Sequence, residues 1–574
     1  MSAFYDLRKY KKGLGLVFVL TLGNAIGELL LPFLLSLIVD EGIAIGAVDV
    51  VLRIGAMMVV VTLITAVIRS MASYFSAKTA MGFSHDLRQR IFKKVNDLTF
   101  DETEYFGISS LITRTTNDVD NVEQFVLLAQ RPLLRAPLGF FGGLFMAFTA
   151  HAQLTLIVLA SLPLIFVIIY IIIRKVFPYF PKLQGALDRI NLLMRQRLTG
   201  LKVMRAFNRD ELEEDIFNKA NEDYYNHALD INYVLRTSRP LLTSIVGVTV
   251  VIAIYVGTGF IEDGSLEIGR LMAFVQYTTQ MLTGLTMFAH LMTVFPRTTA
   301  SVERVEEVIN YPSRKVGGNE QLDHAIESIE ANDFSFTYPN ANTPALNGIH
   351  FKVNKGEVLG IVGGTGAGKS TLLKLFMQFY DPSSGELLIN GESIEELEPE
   401  SVRARISYVP QQNFFFTDTV RGNMYYSNPD VKDSKIMDSL IMTQSSPFLD
   451  EDSPLDEKVI RGGQNFSGGQ RQRLALSRAL ARDSSVYIFD DSFSALDYKT
   501  DYEIRQNLQE VLGEVITIVV AQRVATIRHA DKILVLDDGE MVAYGNHDTL
   551  IQSSDVYREI ASSQAEEEEE TDFE

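Results

Sequence analysis

Six long apolar runs fill the first three hundred residues, at roughly 14–39, 51–77, 133–150, 153–174, 240–261 and 270–295. A run of about twenty apolar residues suits a bilayer crossing, because a helix of that length spans the hydrocarbon and satisfies its own backbone. Only the short turn His151-Ala152-Gln153, whose last residue opens the fourth run, stands between the third run and the fourth, so those two are expected to form a tight hairpin. The chain opens with a basic patch, Arg8 to Lys12, and its first apolar run continues to about Val39. A signal peptide would be shorter and would end in a small-residue cleavage site. The first run therefore reads as a retained membrane helix.

The connections alternate in charge. The 40–50 connection carries Asp40, Glu41 and Asp49 and no base, and the 259–269 connection carries Glu262, Asp263 and Glu267 and no base. By contrast 78–132 and 174–239 are long and rich in Lys and Arg. The positive-inside rule places both long connections and both termini in the cytoplasm, and an even number of spans agrees. The long connections read as amphipathic helix broken at Gly107 and Gly200, so the membrane helices are expected to continue inward as rods. At their turning points lie 99–107 and 206–214, both short, acidic and aromatic. Two readings fit these turns: docking helices that push on a cytoplasmic engine, or plain solvated turns.

A few residues inside the spans invite function. Asn24 and Glu28 are one helical turn apart, with Pro32 a turn further. A glutamate in lipid is costly, so Glu28 is expected to face an aqueous cavity or a partner helix, or else to be a neutralised structural acid. In the sixth run Phe274, Tyr277, Met281 and Phe288 fall near one helical face. They fit an adaptable surface for apolar cargo, or ordinary helix packing.

Composition adds exclusions. The chain has no cysteine, so disulfide and thiol chemistry are ruled out. Its net charge of −20 argues against nucleic acid as a partner. Part of that charge sits in Glu566–Glu570, which reads as a solvated, disordered end.

From about Asp333 the pattern changes to short apolar strands, helices and Gly-rich turns. The strand 358–362 runs into Gly363, Gly364, Thr365, Gly366, Ala367, Gly368, Lys369 and Ser370, and a helix is predicted from Thr371 to Phe379. This is the phosphate loop G-x-x-x-x-G-K-S in its strand–loop–helix setting. Its backbone N–H groups would cradle phosphates, Lys369 would reach the β- and γ-phosphates, and Ser370 would take a Mg²⁺ ion. Tyr338, before a proline, could stack on adenine. The segment 406–412 reads as a strand ending in Gln411. Residues Asn465 to Arg473 open a further helix, predicted from Leu474 to Ala481, and among them Ser467, Gly468, Gly469 and Gln470 make a second phosphate-binding geometry. Two such loops in one domain suggest that the second serves a nucleotide held by another copy. Finally, four apolar residues from Val486 run into Asp490 and Asp491, as in a buried parallel strand that delivers its acids to a ligand-binding end. Asp490 is placed to hold Mg²⁺ through water, and Asp491 stands where a hydrolase wants a base.

Together these motifs resemble an ATP-binding cassette half-transporter of the exporter type, over nearly the whole chain. The resemblance implies an all-α polytopic membrane domain of six helices with the type IV (type I) exporter fold, then an α/β P-loop ATPase domain. It identifies Gly363 to Thr371 with the Walker A loop and helix start, Gln411 with the Q-loop glutamine and a metal contact, and 466–470 with the family signature. Walker B falls within 480–491, the D-loop at 494–497, and the adenine-stacking aromatic at Tyr338. The turns near 101–107 and 208–214 correspond to coupling helices. The implied boundaries are 1–310 for the membrane domain, 311–332 for a linker, 333–562 for the nucleotide-binding domain and 563–574 for the acidic tail. ATP and Mg²⁺ are the implied cofactors, and a dimer sandwiches two ATP molecules between its cassettes.

Two positions depart from the family pattern. Asp491 replaces the usual catalytic glutamate, and Gln522 replaces the switch histidine. Aspartate is one methylene shorter, and catalysis suffers from errors of about 1 Å. The expectation is a degenerate site that binds ATP and hydrolyses it slowly, while the intact signature serves a different partner subunit. That resembles one subunit of a bacterial heterodimeric multidrug exporter in the cell membrane, moving hydrophobic or amphipathic compounds. Two alternatives stay open: a homodimeric exporter of lipids or drugs with Asp491 as a slow base, and a non-pumping protein gated by ATP.

Overall fold

The computed structural model describes residues 2–176, 178–313, 316–339 and 341–562; within its helices a few side chains, Phe288 among them, are left undescribed. The predicted acidic tail lies outside the described residues. Two compact units divide the chain: residues 1–97 with 106–312, and residues 98–105 with 313–574.

The first unit is helical. Its main helices are α1 (Lys11–Leu37), α2 (Val48–Asn96), α3 (Phe100–Phe106, shared with the second unit), α4 (Ile108–Thr113), α5 (Val119–Gln130), α6 (Pro132–Ala150), α7 (Ala152–Val176), α8 (Tyr179–Thr199), α9 (Leu201–Ala206), α10 (Asp210–Glu262) and α11 (Ile268–Ile309). α2 and α10 have 49 and 53 residues. At about 1.5 Å per residue they run far beyond the ~30 Å hydrocarbon core, as expected of rods. Five helical stretches among the described residues are long and apolar enough to cross a membrane: Phe4–Ile43, Val48–Asn96, Ile108–Ala150, Ala152–Ile172 and Pro240–Glu262. The sixth expected span falls in α11, where several side chains are undescribed.

Small residues decide how α6 meets α11. Ala136, Gly139, Gly143 and Ala147 make one buried stripe on α6. A Cβ on Gly284 of α11 would stand 2.7 Å from the Ala136 carbonyl oxygen, and one on Gly143 would stand 3.1 Å from the Tyr277 carbonyl oxygen. Backbones approach this closely only where side chains are absent, the usual device for packing helices in lipid. Phe274, Tyr277 and Met281 fill the core beside that stripe, each at most 2% exposed, and the Tyr277 hydroxyl donates to the Leu29 carbonyl at 3.1 Å. The reading of these three as a surface for cargo is therefore corrected: helix packing describes them, because the glycine stripe draws α11 in on that face. Phe288, the fourth, lies outside the described side chains.

The second unit is built on a ten-stranded sheet. Its strands are β1 (Ser328–Phe336), β2 (Leu346–Asn354), β3 (Val358–Gly363), β4 (Ser384–Ile389), β5 (Glu392–Ser393), β6 (Ile406–Val409), β9 (Val486–Asp490), β10 (Ile516–Val520), β11 (Lys532–Asp537) and β12 (Glu540–Gly545), with β7 (Asp418–Thr419) and β8 (Lys458–Val459) paired apart. The sheet order is β5-β4-β1-β2-β12-β11-β3-β10-β9-β6. Strands β11, β3, β10, β9 and β6 run parallel, and β9 and β10 are buried at every residue, which explains their unbroken apolar sequences. Antiparallel pairs β1–β2, β1–β4 and β11–β12 extend it. The helix after β3, α12, runs Lys369–Phe376, so it starts and stops earlier than the predicted Thr371 to Phe379. Its N-cap, Gly368, has φ +97°, and Gln378, with φ +51°, follows its end.

Candidate functional site

A parallel sheet collects loops at the carboxyl ends of its strands. Here the end of β3 delivers the phosphate loop, the end of β9 delivers Asp490 and Asp491, and the segments after β10 and β6 carry Gln522 and Gln411. These residues are far apart in sequence, and the strand order β3-β10-β9-β6 makes them neighbours.

The phosphate loop is shaped by its glycines. Gly366 and Gly368 have φ of +87° and +97°, a region closed to most side chains. Nothing lies within 4 Å of where a Cβ on Gly364 or Gly366 would stand, so the concave face of the loop is open, whereas Gly363 is pressed against the Leu536 carbonyl. Lys369 donates its Nζ to the carbonyls of Gly363 and Gly364 at 2.8 and 2.7 Å, spanning the loop. Burial lowers the Lys369 pKa, and Asp490 and Asp491 oppose that shift. Ser370 and Thr371 occupy the first turn of α12. The Tyr338 hydroxyl shares a hydrogen bond with Thr371 Oγ1 at 3.1 Å, and its ring packs against Phe336 and Tyr380.

Asp490 is 6% exposed. Burial raises its pKa; the Tyr408 hydroxyl, donating to Oδ2 at 3.2 Å, and Lys369 pull the other way, while Asp491 adds to the rise. Asp491 has φ +49°, in the left-handed region, where aspartate is one of the better-tolerated side chains. Its N–H donates to the Val520 carbonyl at 2.9 Å, which fixes this turn against β10. Its Oδ2 accepts from Gln522 Nε2 at 3.0 Å and from Gln411 Nε2 at 3.4 Å. The three positions singled out in the sequence thus meet at one carboxylate oxygen.

The signature helix, Gly468–Leu480, begins earlier than a helix from Leu474 would. Its N-cap is Ser467, in a capping box with Gln470: Gln470 N donates to Ser467 Oγ at 3.3 Å, and Ser467 N donates to Gln470 Oε1 at 2.8 Å. Ser467 and Gly468 are exposed, free to meet a ligand outside this unit. Gln472 was not anticipated from sequence. It donates to the Asp491 carbonyl at 3.5 Å and accepts from Ala495 N at 3.1 Å, so the signature helix is tied to the turn after Walker B. Tyr408 was also missed; it is the one partly exposed residue in an otherwise buried β6.

The site fits ATP: an open, glycine-shaped loop at a helix start, a lysine across it, and a buried carboxylate beside it. Among the described residues no group of three His, Cys, Asp or Glu could hold a metal. Ser370, Gln411 and Asp490 would hold Mg²⁺ only together with phosphate oxygens and water, as is usual for that ion. When bound, the ion would offset phosphate charge.

In the membrane unit Glu28 meets Arg135. Its carboxylate accepts from Arg135 of α6, Nη2 to Oε1 at 2.7 Å, with further bonds from Nη2 and Nε to Oε2, and from Asn24 Nδ2 at 3.2 Å. Of the two acidic turns, residues 98–105 cluster with the second unit, where the Phe100 ring centroid stands 4.5 Å from that of Phe379. The other turn, after α9, belongs to the first unit and leaves Phe207 exposed.

Comparison with known proteins agrees with this architecture. Residues 14–285 match the ABC transporter transmembrane region, and residues 346–494 match the ABC transporter family. An uncharacterized ABC transporter ATP-binding protein of Mycobacterium tuberculosis is 35% identical over 97% of both chains, and one of Bacillus subtilis is 30% identical over 98% of both. A protein named ATP-dependent lipid A-core flippase 1, from Colwellia psychrerythraea, is 28% identical over 97% of this chain and 95% of its own. A solved bacterial Atm1-family ABC exporter with ATP bound shares the fold, with a TM-score of 0.79 at 21% identity, covering 97% of this chain and 98% of that one. With a transmembrane region and an ATP-binding domain on one polypeptide, this chain belongs to the ABC transporters and has the exporter fold.

Proposed function

We propose that this ATP-driven exporter chain is the degenerate-site subunit of a heterodimer. The observation that carries the reading is the Asp491 carboxylate, one methylene short of a glutamate and engaged by the amides of Gln522 and Gln411. A general base must reach the proton it removes, and a carboxylate committed to two amide donors is both short and occupied. Gln522 offers no imidazole. ATP on this chain's Walker A residues then acts mainly as a ligand that shifts the conformational equilibrium. Exposed Ser467 and Gly468 serve the partner's ATP, where hydrolysis is fast. The cassettes and the ends of both long helical connections lie in the cytoplasm, and the cargo is a hydrophobic or amphipathic compound leaving the cell.

Single-turnover ATP hydrolysis by the purified chain alone tests this. The expected result is tight ATP binding with slow phosphate release. Rapid turnover without any partner would sink the heterodimer reading in favour of a homodimer.

A further inference from the structure

A cavity of about 360 Å³ lies among α1, α2, α5 and α6, wholly within the membrane unit. Its walls combine two features that apolar cargo does not need. The first is charge. Arg69, Arg131 and Arg135 all line it. Arg135 is taken up by Glu28. Arg131 donates to Ser73 Oγ at 2.9 Å, and among the described residues neither it nor Arg69 has an ion-pair partner. The second is unmet hydrogen bonding. Thr21 Oγ1, Asn24 Oδ1 and Ser76 Oγ line the same space, their residues are at most 5% exposed, and none of these atoms has a hydrogen-bond partner. Buried polar atoms without partners are rare and ask for a ligand or water.

Depth is the third consideration. Arg69 lies about 32 Å along α2 from Val48, at about 1.5 Å per residue. With Val48 at the outer end, as the charge pattern requires, the arginines reach the inner edge of a hydrocarbon core about 30 Å thick. A headgroup enters there at the height it already holds in the inner leaflet.

We infer that this cavity binds the anionic headgroup of an amphipathic ligand, with Arg69 and Arg131 meeting its charge and the Thr21 and Ser76 hydroxyls donating to its oxygens. Asn24 Oδ1 takes a donor, from a hydroxyl on the headgroup or from water. The tail stays in the apolar surroundings. This deepens the exporter reading by naming a class of cargo, and binding itself requires neither ATP nor a second subunit.

The test uses the full chain in phosphatidylcholine nanodiscs, with dansyl-undecanoic acid and its methyl ester as probes. The acid is expected to bind about tenfold or more tightly than the ester, and the R69Q/R131Q variant to bring the acid down to the ester's affinity. The R69K/R131K variant, with charge retained, keeps a clear preference for the acid, which separates lost recognition from a damaged fold. Equal binding of acid and ester, or acid binding unchanged in R69Q/R131Q, overturns the inference. Replacing part of the lipid with phosphatidylglycerol assigns the source. Displacement of the acid identifies a phospholipid headgroup, and retention identifies a diffusible amphiphile; both carry the proposed chemistry. Fluorescent ATP binding on the same discs reports the cassette separately, so failure of the cavity and failure of the nucleotide reading stay distinguishable.

Discussion

Gln522 donates its side-chain amide to the carboxylate of Asp491, Nε2 to Oδ2 at 3.0 Å, across the junction between β10 and β9. The two positions read in the sequence as departures from the resemblance are thus joined by one contact. An amide is a good donor to a carboxylate and cannot exchange protons near neutral pH as imidazole does.

Asp491→Glu combined with Gln522→His is therefore expected to raise the single-turnover rate at this site by about a hundredfold, the lower range for a positioned base. Asp491→Glu alone should give much less. The longer acid must hold the left-handed backbone at φ +49°, which favours aspartate, and it still faces Gln522. Radiolabelled phosphate release with protein in excess over ATP reads the rate. No acceleration in the double variant would place the slowness elsewhere.

Much of this site is legible in the sequence because the phosphate loop fixes both spacing and backbone, down to the glycines at 366 and 368. The meeting of Asp491 with Gln411 is not legible, since the two are 80 positions apart and only the strand order brings them together. Tyr408 is hidden for the same reason. In the membrane unit, the periodicity of Phe274, Tyr277 and Met281 identifies a face without saying what it meets, and the small residues of α6 decide that. Arg69 and Arg135 sit inside apolar runs, and the partner of Arg135 lies on another helix. Glu28 and Arg135 are 107 residues apart.

Asp490 gives a pH signature. Burial holds its pKa above the ordinary aspartate value, so the folded, nucleotide-free chain keeps this proton where the unfolded chain has released it. Stability from this group is full below the unfolded pKa and is lost as pH rises through the folded one. Asp490→Asn, whose Oδ1 can still accept from Tyr408, should raise the melting temperature at pH 7 by about 2 °C or more. The gain should shrink as the pH is lowered towards the ordinary aspartate range, while Mg²⁺-dependent ATP binding weakens at neutral pH. A gain that does not change with pH would contradict the assignment.

Asp40 belongs to the acidic, base-free connection that follows the first apolar run. The structure gives it a defined job: its carboxylate accepts from the N–H groups of Gly269 and Arg270 at 2.6 and 3.0 Å, capping the start of α11 from another helix. Asp40→Ala removes both bonds and a negative charge at a helix N-terminus, a loss of about 1–2 kcal/mol. Hydrogen exchange at Gly269 and Arg270 should accelerate by roughly tenfold, with exchange in α7 unchanged. Unaltered protection at these two amides would mean that the cap contributes nothing.

Gly284 tests the packing that buries Tyr277. A Cβ there would meet the Ala136 carbonyl at 2.7 Å and the Phe140 nitrogen at 3.2 Å, both backbone atoms that cannot swing aside. Gly284→Ala must therefore push α6 and α11 apart, at a cost of about 1–3 kcal/mol. The same substitution at Gly55 of α2 meets nothing within 4 Å. There the only change is alanine's better helix propensity, worth up to about 1 kcal/mol in favour of the variant. Thermal unfolding in matched nanodiscs should thus show the two substitutions moving in opposite directions. If Gly284→Ala were as stable as the parent, the close approach of the two helices would not be what holds Phe274, Tyr277 and Met281 inside the bundle.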